Sequence, residues 1–277
     1  MPQASPRFNG QLTQGVIPSE KIMEPEGSFK TFFDAVTKES AETFFPQKDT
    51  KAFEEFKEVV GNSLYDLDGP RRISERASDK AYFVANKLFH PLSEIMNNLE
   101  AIENISIYSG SFPYKRHGVS RISYLRYNIE NYLNELYILK NRMIDYLKII
   151  ERSYRKCNRV EEIKKTLKPL YVLVSSALEG YVNVRGAHVH KNRYTDSEID
   201  RLVELELFSN LSDSSELGQL LHSQFILGYR ETRKKWVKKM KDDLQALNKL
   251  VDIYFENLCE VLINNNRIQY PSNTNWV

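Results

Sequence analysis

The chain has 277 residues, 41% of them apolar and 27% charged, which is enough for one good core with room for an extension. Its formal net charge is only +2, so the molecule as a whole is not a polycation, and any nucleic-acid contact has to come from local basic faces. Cys157 and Cys259 stand in no metal-type spacing, and no P-loop, G-x-G-x-x-G or H-E-x-x-H pattern occurs. This argues against zinc chemistry and nucleotide hydrolysis, so no metal and no cofactor are expected.

Residues 1–27 are rich in Gly and Pro and read as an N-terminal arm with no apolar leader. Phe29, Phe32, Phe33, Val36 and Phe44 predict a short amphipathic helix over 28–45, stopped by Pro46. A second helix is expected over about 50–60, and Asp68-Gly69-Pro70 is a turn signal. From Ser78 a longer helical pattern runs through Leu88, Leu92, Ile95 and Ile102, with Pro91 expected to kink or break it. Ser109 to Pro113 then marks a boundary, so residues 28–112 read as an N-terminal helical extension.

No Gly or Pro falls between Val119 and Lys168. Within that window Leu125, Ile129, Leu133, Leu136, Met143, Leu147 and Ile150 predict one helix of roughly 30 residues, about 45 Å long. Another is expected over about 160–184, with Pro169 as a kink or a restart. Thr195-Asp196-Ser197-Glu198 reads as a capping box opening a helix that ends near Asn210. Asp213 with Glu216 opens the last helix, in which Trp236, Met240, Leu244, Leu247, Val251, Tyr254 and Leu258 repeat at helical spacing. Residues 113–266 thus form an up-and-down bundle, and 267–277 a C-terminal tail. Period-two alternation is not convincing anywhere, so the expected class is all-α. With no 18-residue apolar window, no membrane span is expected and a cytoplasmic location is.

The segment Leu170 to Tyr194 carries the chemistry. Leu170, Leu173, Val174, Ala177, Leu178, Tyr181 and Val182 make one apolar stripe, and Arg185 falls on its continuation. A guanidinium keeps its charge, so there it needs a carboxylate, a phosphate or water. His188 follows, then His190 in an R-x4-H spacing, then Lys191, Asn192, Arg193 and Tyr194. If the helix ends at or soon after Arg185, the turning chain brings Arg185 and His190 to one side. The arginine then holds a phosphate while the imidazole moves a proton. The competing reading is a solvated helix end with its cations near the C-terminal dipole. On the long helix Asn128, Glu135 and Arg142 share a face; Glu135 either supports the site by orienting an imidazole or pairing with Arg185, or belongs to an ordinary ion-pair row.

A long helix, a second helix ending in Arg-x4-His and two further helices resemble the HEPN superfamily of small all-α bundles, over roughly residues 119–265. The resemblance implies a homodimer whose two motifs meet in one composite cleft, and a metal-independent endoribonuclease of toxin or defence type with an antitoxin or defence-system partner. Arg185 would stabilise the pentavalent phosphate. His190 would act as base toward the 2′-hydroxyl or acid toward the 5′-oxygen. His188 would supply the polar neighbour that Gly186 lacks. Arg230, Lys234 and Lys238 share a face of the last helix, and with Lys191 and Arg193 they are the expected RNA contacts. The alternatives are a non-catalytic helical module that binds RNA, a nucleotide or a protein partner, and a plain scaffold in which an internal carboxylate fills the Arg185 position.

Overall fold

The computed structural model describes residues 26–44, 79–111, 118–190, 193–194, 196–211 and 215–271. The helix expected over 50–60, the Asp68 turn, and most of the N-terminal arm and of the C-terminal tail lie outside them. Helix α1 spans Gly27–Phe44. A short α2 (Asp79–Phe83) runs through a π-helical stretch, Val84–Phe89, into α3 (His90–Gly110). Then come α4 (Arg121–Ser153), α5 (Val160–His190), α6 (Ser197–Leu211) and α7 (Glu216–Leu262). The class is all-α, with one departure: Ile263–Asn264 pairs antiparallel with Arg267–Ile268. Asn265 and Asn266 take φ of 52° and 58° in the tight turn between them, the left-handed geometry that two-residue hairpins need and Asn tolerates. The three asparagines at 264–266 carried that signal.

Pro91 neither breaks nor ends its helix. The preceding turn widens instead, and the His90 amide donates five residues back to Ala85 O. A widened turn absorbs the missing donor and the ring clash that proline imposes. It also leaves Leu88 O to accept from the Tyr146 hydroxyl at 3.2 Å. Pro169 lies within α5 without ending it.

The boundary expected near 109–113 does separate two helices, but both sides share one core. Phe29 of α1 stacks on Phe255 of α7 at 4.6 Å, and Phe32 meets both Phe255 and Tyr146. Leu92, Ile95, Leu99 and Ile102 of α3 belong to the same cluster as Ile129, Leu136, Met143 and Leu147 of α4. Residues 79–110 therefore form a wall of the bundle. Buried tyrosines cross-tie it: the Tyr254 hydroxyl donates to Met143 O at 2.9 Å, and that of Tyr132 to Asp243 Oδ2 at 2.9 Å.

Helix starts follow local side-chain chemistry. Ser120 Oγ accepts the Ser123 amide at the start of α4, and Ser215 Oγ accepts that of Gly218 at the start of α7. The cap of α6 is Asp196, whose Oδ1 accepts the Glu198 and Ile199 amides at 3.0 and 2.8 Å. Glu198, expected to close a capping box from inside α6, reaches α7 instead, where Thr232 Oγ1 and Lys235 Nζ donate to it. Cys157 sits in the turn between α4 and α5, not in a helix; it and Cys259 are free thiols.

Candidate functional site

Arg185 lies on α5, half-buried, and its place is set by α4. Its Nε donates to Asn134 Oδ1 at 3.2 Å, and the guanidinium carbon stands 4.1 Å from the centroid of the Tyr137 ring. Among the described residues it forms no ion pair with a carboxylate. The ring takes one face of the cation and the amide takes one donor, so the terminal amino groups keep donors for an outside acceptor.

Glu135 does not pair with Arg185. It faces α3, where Asn98 Nδ2 donates to its Oε2 at 2.5 Å and to its backbone oxygen at 3.1 Å. Burial pushes the Glu135 carboxyl above its ordinary range, with Arg142 pulling the other way. Arg142 itself bonds Glu94 through both its backbone and its carboxylate, at 2.9 and 2.5 Å. Glu135 and Arg142 thus lie at the α3–α4 seam, while Asn128 donates to Tyr124 O within its own helix. One step along a helix turns about 100°, so Asn134 points to α5 while Glu135 points away.

What the sequence reading missed is a neighbouring stripe of α4: Glu130, Asn134 and Tyr137, spaced four and three apart. Glu130, its side chain 15% exposed, accepts from Arg193 Nη2 at 3.2 Å and from the Tyr194 amide at 3.1 Å. This ties the start of the α5–α6 connection to α4. Arg193, an expected RNA contact, is paired with Glu130 of its own chain while its side chain stays 64% exposed. Tyr194 packs edge-on against Trp236 of α7 at 5.6 Å, and its hydroxyl donates to Asp196.

One turn before Arg185, Tyr181 joins a polar knot between three helices. Its ring meets Tyr132 edge-on at 6.4 Å and lies 5.0 Å from Lys239 Nζ. Asp243 accepts from the Tyr132 hydroxyl and from Lys239 Nζ, each at 2.9 Å, and Lys239 Nζ also donates to the Tyr181 hydroxyl at 3.5 Å. Burial, then the Asp243 charge, push the Tyr132 and Tyr181 hydroxyls well above the usual tyrosine range. The Tyr132 hydroxyl is held as a donor to Asp243.

The helix does not stop at Arg185. Helix α5 continues through Gly186, His188 and His190, because no proline intervenes and one glycine weakens a helix by only about 1 kcal/mol. Position 190 therefore stands about 140° around the axis from position 185, whereas position 188 stands about 60° from it. The condition set for their approach, a helix that stops at or soon after Arg185, is therefore not met by the backbone. The side chains of His188 and His190, and residues Lys191 and Asn192, lie outside the described set.

Arg230, Lys234 and Lys238 are exposed on α7 and make no ion pair among the described residues. Their neighbours Lys235 and Lys239 are engaged by Glu198 and Asp243. Among the described residues no cluster of three His, Cys, Asp or Glu could hold a metal ion, and no helix is long and apolar enough to cross a membrane. Compared with protein-family models, curated proteins and solved structures, the chain matches none.

Proposed function

We propose that this chain is a HEPN-like endoribonuclease in which Arg185 holds the scissile phosphate of RNA. The observation that carries this reading is the arginine's setting. Its cation is oriented by an amide and an aromatic ring, without a carboxylate from the described residues to neutralise it. Glu135, which would have filled that place in a plain scaffold, is turned toward Asn98. A guanidinium held this way presents paired N–H groups to a phosphate and gains strength as the transition state accumulates charge.

The proton transfers fall to His190. Since α5 carries position 190 around the helix from Arg185, the imidazole that meets a phosphate on Arg185 comes from a second copy of the chain. One imidazole removes the 2′-hydroxyl proton, and the 2′-oxygen then attacks phosphorus. The 5′-oxygen leaves with a proton supplied by an acid, giving a 2′,3′-cyclic phosphate and a 5′-hydroxyl. The exposed Arg230, Lys234 and Lys238 provide the positive face along which the strand lies.

The test is cleavage of single-stranded RNA in EDTA. Arg185→Ala and His190→Ala are each expected to abolish it without loss of helicity, and mixing the two inactive variants to restore part of it through hybrid dimers. Cleavage unchanged in both variants sinks the assignment. The continuous helix favours one second reading, a non-catalytic RNA-binding module. Arg185-dependent binding without cyclic-phosphate product in the wild type would select it.

A further inference from the structure

The first third of α7 carries an apolar stripe that the bundle does not use. Leu217, Leu220 and Leu227 are 58%, 57% and 54% exposed, with Gln224 completing a spacing of three, four and three. This is the a/d repeat of a helix-pairing seam, pointed at solvent. The core-facing side of the same segment is a different line, Gly218, Phe225, Tyr229 and Thr232, all buried. At the facing end of α6, Leu207, Phe208 and Leu211 are also exposed, so the α6–α7 hairpin ends in apolar surface.

We infer that this stripe is a contact between two copies of the chain, running antiparallel and centred near His222. Charge selects both the occupant and the direction. Centred there, Leu217 of one copy meets Leu227 of the other, and Leu220 meets Gln224. The exposed Glu216 then stands beside the second copy's Arg230, twice by symmetry. A parallel pair would instead set Glu231 against Glu231 and then Lys234 against Lys234 on the same stripe, which like charges oppose. The antiparallel overlap runs from Glu216, where α7 begins, to Gly228, about 18 Å, and ends before the lysines. A polar Gln224 within an apolar seam fixes register at some loss of affinity.

This contact is separate from the proposed meeting of Arg185 with His190. Lys239, which lies over Tyr181 one turn from Arg185, is 12 residues beyond Leu227, roughly 18 Å along α7. A chain with two different two-fold contacts forms either a closed four-copy assembly or an open array.

Sedimentation equilibrium of the full chain tests this. The wild type is expected to associate through this contact, to a dimer where it acts alone and to four copies or an open series where the Arg185–His190 contact also forms. Leu220→Glu, and independently Leu227→Glu, should raise the dissociation constant of this contact about 100-fold, since each removes a buried leucine from both copies. Glu216→Arg should weaken it about threefold to tenfold, and the double variant Glu216→Arg/Arg230→Glu should restore it. Helical circular dichroism of each variant confirms that the fold persists. Arg185→Ala should leave this contact unchanged, which separates it from the catalytic reading. A wild type that stays one chain at every concentration overturns the inference, as does an assembly whose size and affinity both leucine variants leave unchanged, or a charge swap that does not restore it.

Discussion

Asn134 and Arg185, 51 residues apart, meet through a hydrogen bond from Nε of the arginine to the amide oxygen of the asparagine at 3.2 Å. That contact fixes the rotation of the guanidinium plane, while the Tyr137 ring fixes its height. Asn134→Ala should leave the charge in place but free its orientation. A lost hydrogen bond to a charged donor, discounted for partial exposure, predicts about fivefold to tenfold weaker RNA binding. Tyr137→Leu should weaken it about threefold, and Tyr137→Phe should not change it, because the ring face carries the attraction. Fluorescence-anisotropy titrations of a labelled oligonucleotide measure all three.

Salt dependence separates the orienting site from the basic face. Replacing Arg230, Lys234 and Lys238 together by Gln should flatten the slope of log affinity against log salt by about 2 for single-stranded RNA. Arg185→Gln should change that slope by less than 1, while abolishing cleavage. Equal slope changes in the two variants would contradict the division of roles.

The polar knot beneath Arg185 should matter for stability as well as position. Tyr132→Phe removes one of the donors that Asp243 collects and leaves a carboxylate less satisfied next to the core. A loss of about 1–2 kcal/mol is expected, read from urea unfolding with an unchanged slope.

Gly27 is required by two independent constraints. Its φ is +57°, and a Cβ there would stand 2.5 Å from Asp252 Oδ1, the atom that accepts the Ser28 amide at 2.7 Å. Gly27→Ala should therefore destabilise the protein by about 1–2 kcal/mol from backbone strain, with disruption of the cap in addition. Thermal unfolding checks it.

Stability should fall in acid through Glu39. Burial alone would raise this carboxyl, but hydrogen bonds from Lys80 and Tyr270 and the Lys80 charge outweigh it and hold it below the ordinary glutamate value. A depressed folded value means that the stabilisation is complete above the unfolded pKa and is lost as pH falls through the folded one. Glu39→Gln should be less stable than the wild type at neutral pH, and the gap should close on acidification. Urea midpoints across a pH series give the comparison.

Helix order and the long helices were legible because the apolar spacing of Leu125 to Ile150 and Trp236 to Leu258 has no competing signal. The reach of α5 was not. Gly186 and two histidines look like a helix end, yet nothing in that segment forbids continuation, and no atom lies within 4 Å of a Cβ at Gly186. Local composition also could not tell which polar face of α4 meets α5. Glu135 and Asn134 are adjacent in sequence, and only the packing of α3 on one side and α5 on the other assigns them. Glu39 shows the same limit, since its partners are 41 and 231 residues away.

The short hairpin at 263–268 has a consequence for how the chain comes apart. Just beyond it, Gln269 accepts from Tyr154 and Arg159, and Tyr270 reaches Glu39 on the first helix. A peptidase nicking the exposed Asn265–Asn266 bond would unfasten a clasp between the first helix and the end of the last, leaving Phe83 and Tyr154 partly uncovered and Glu39 with Lys80 as its remaining partner.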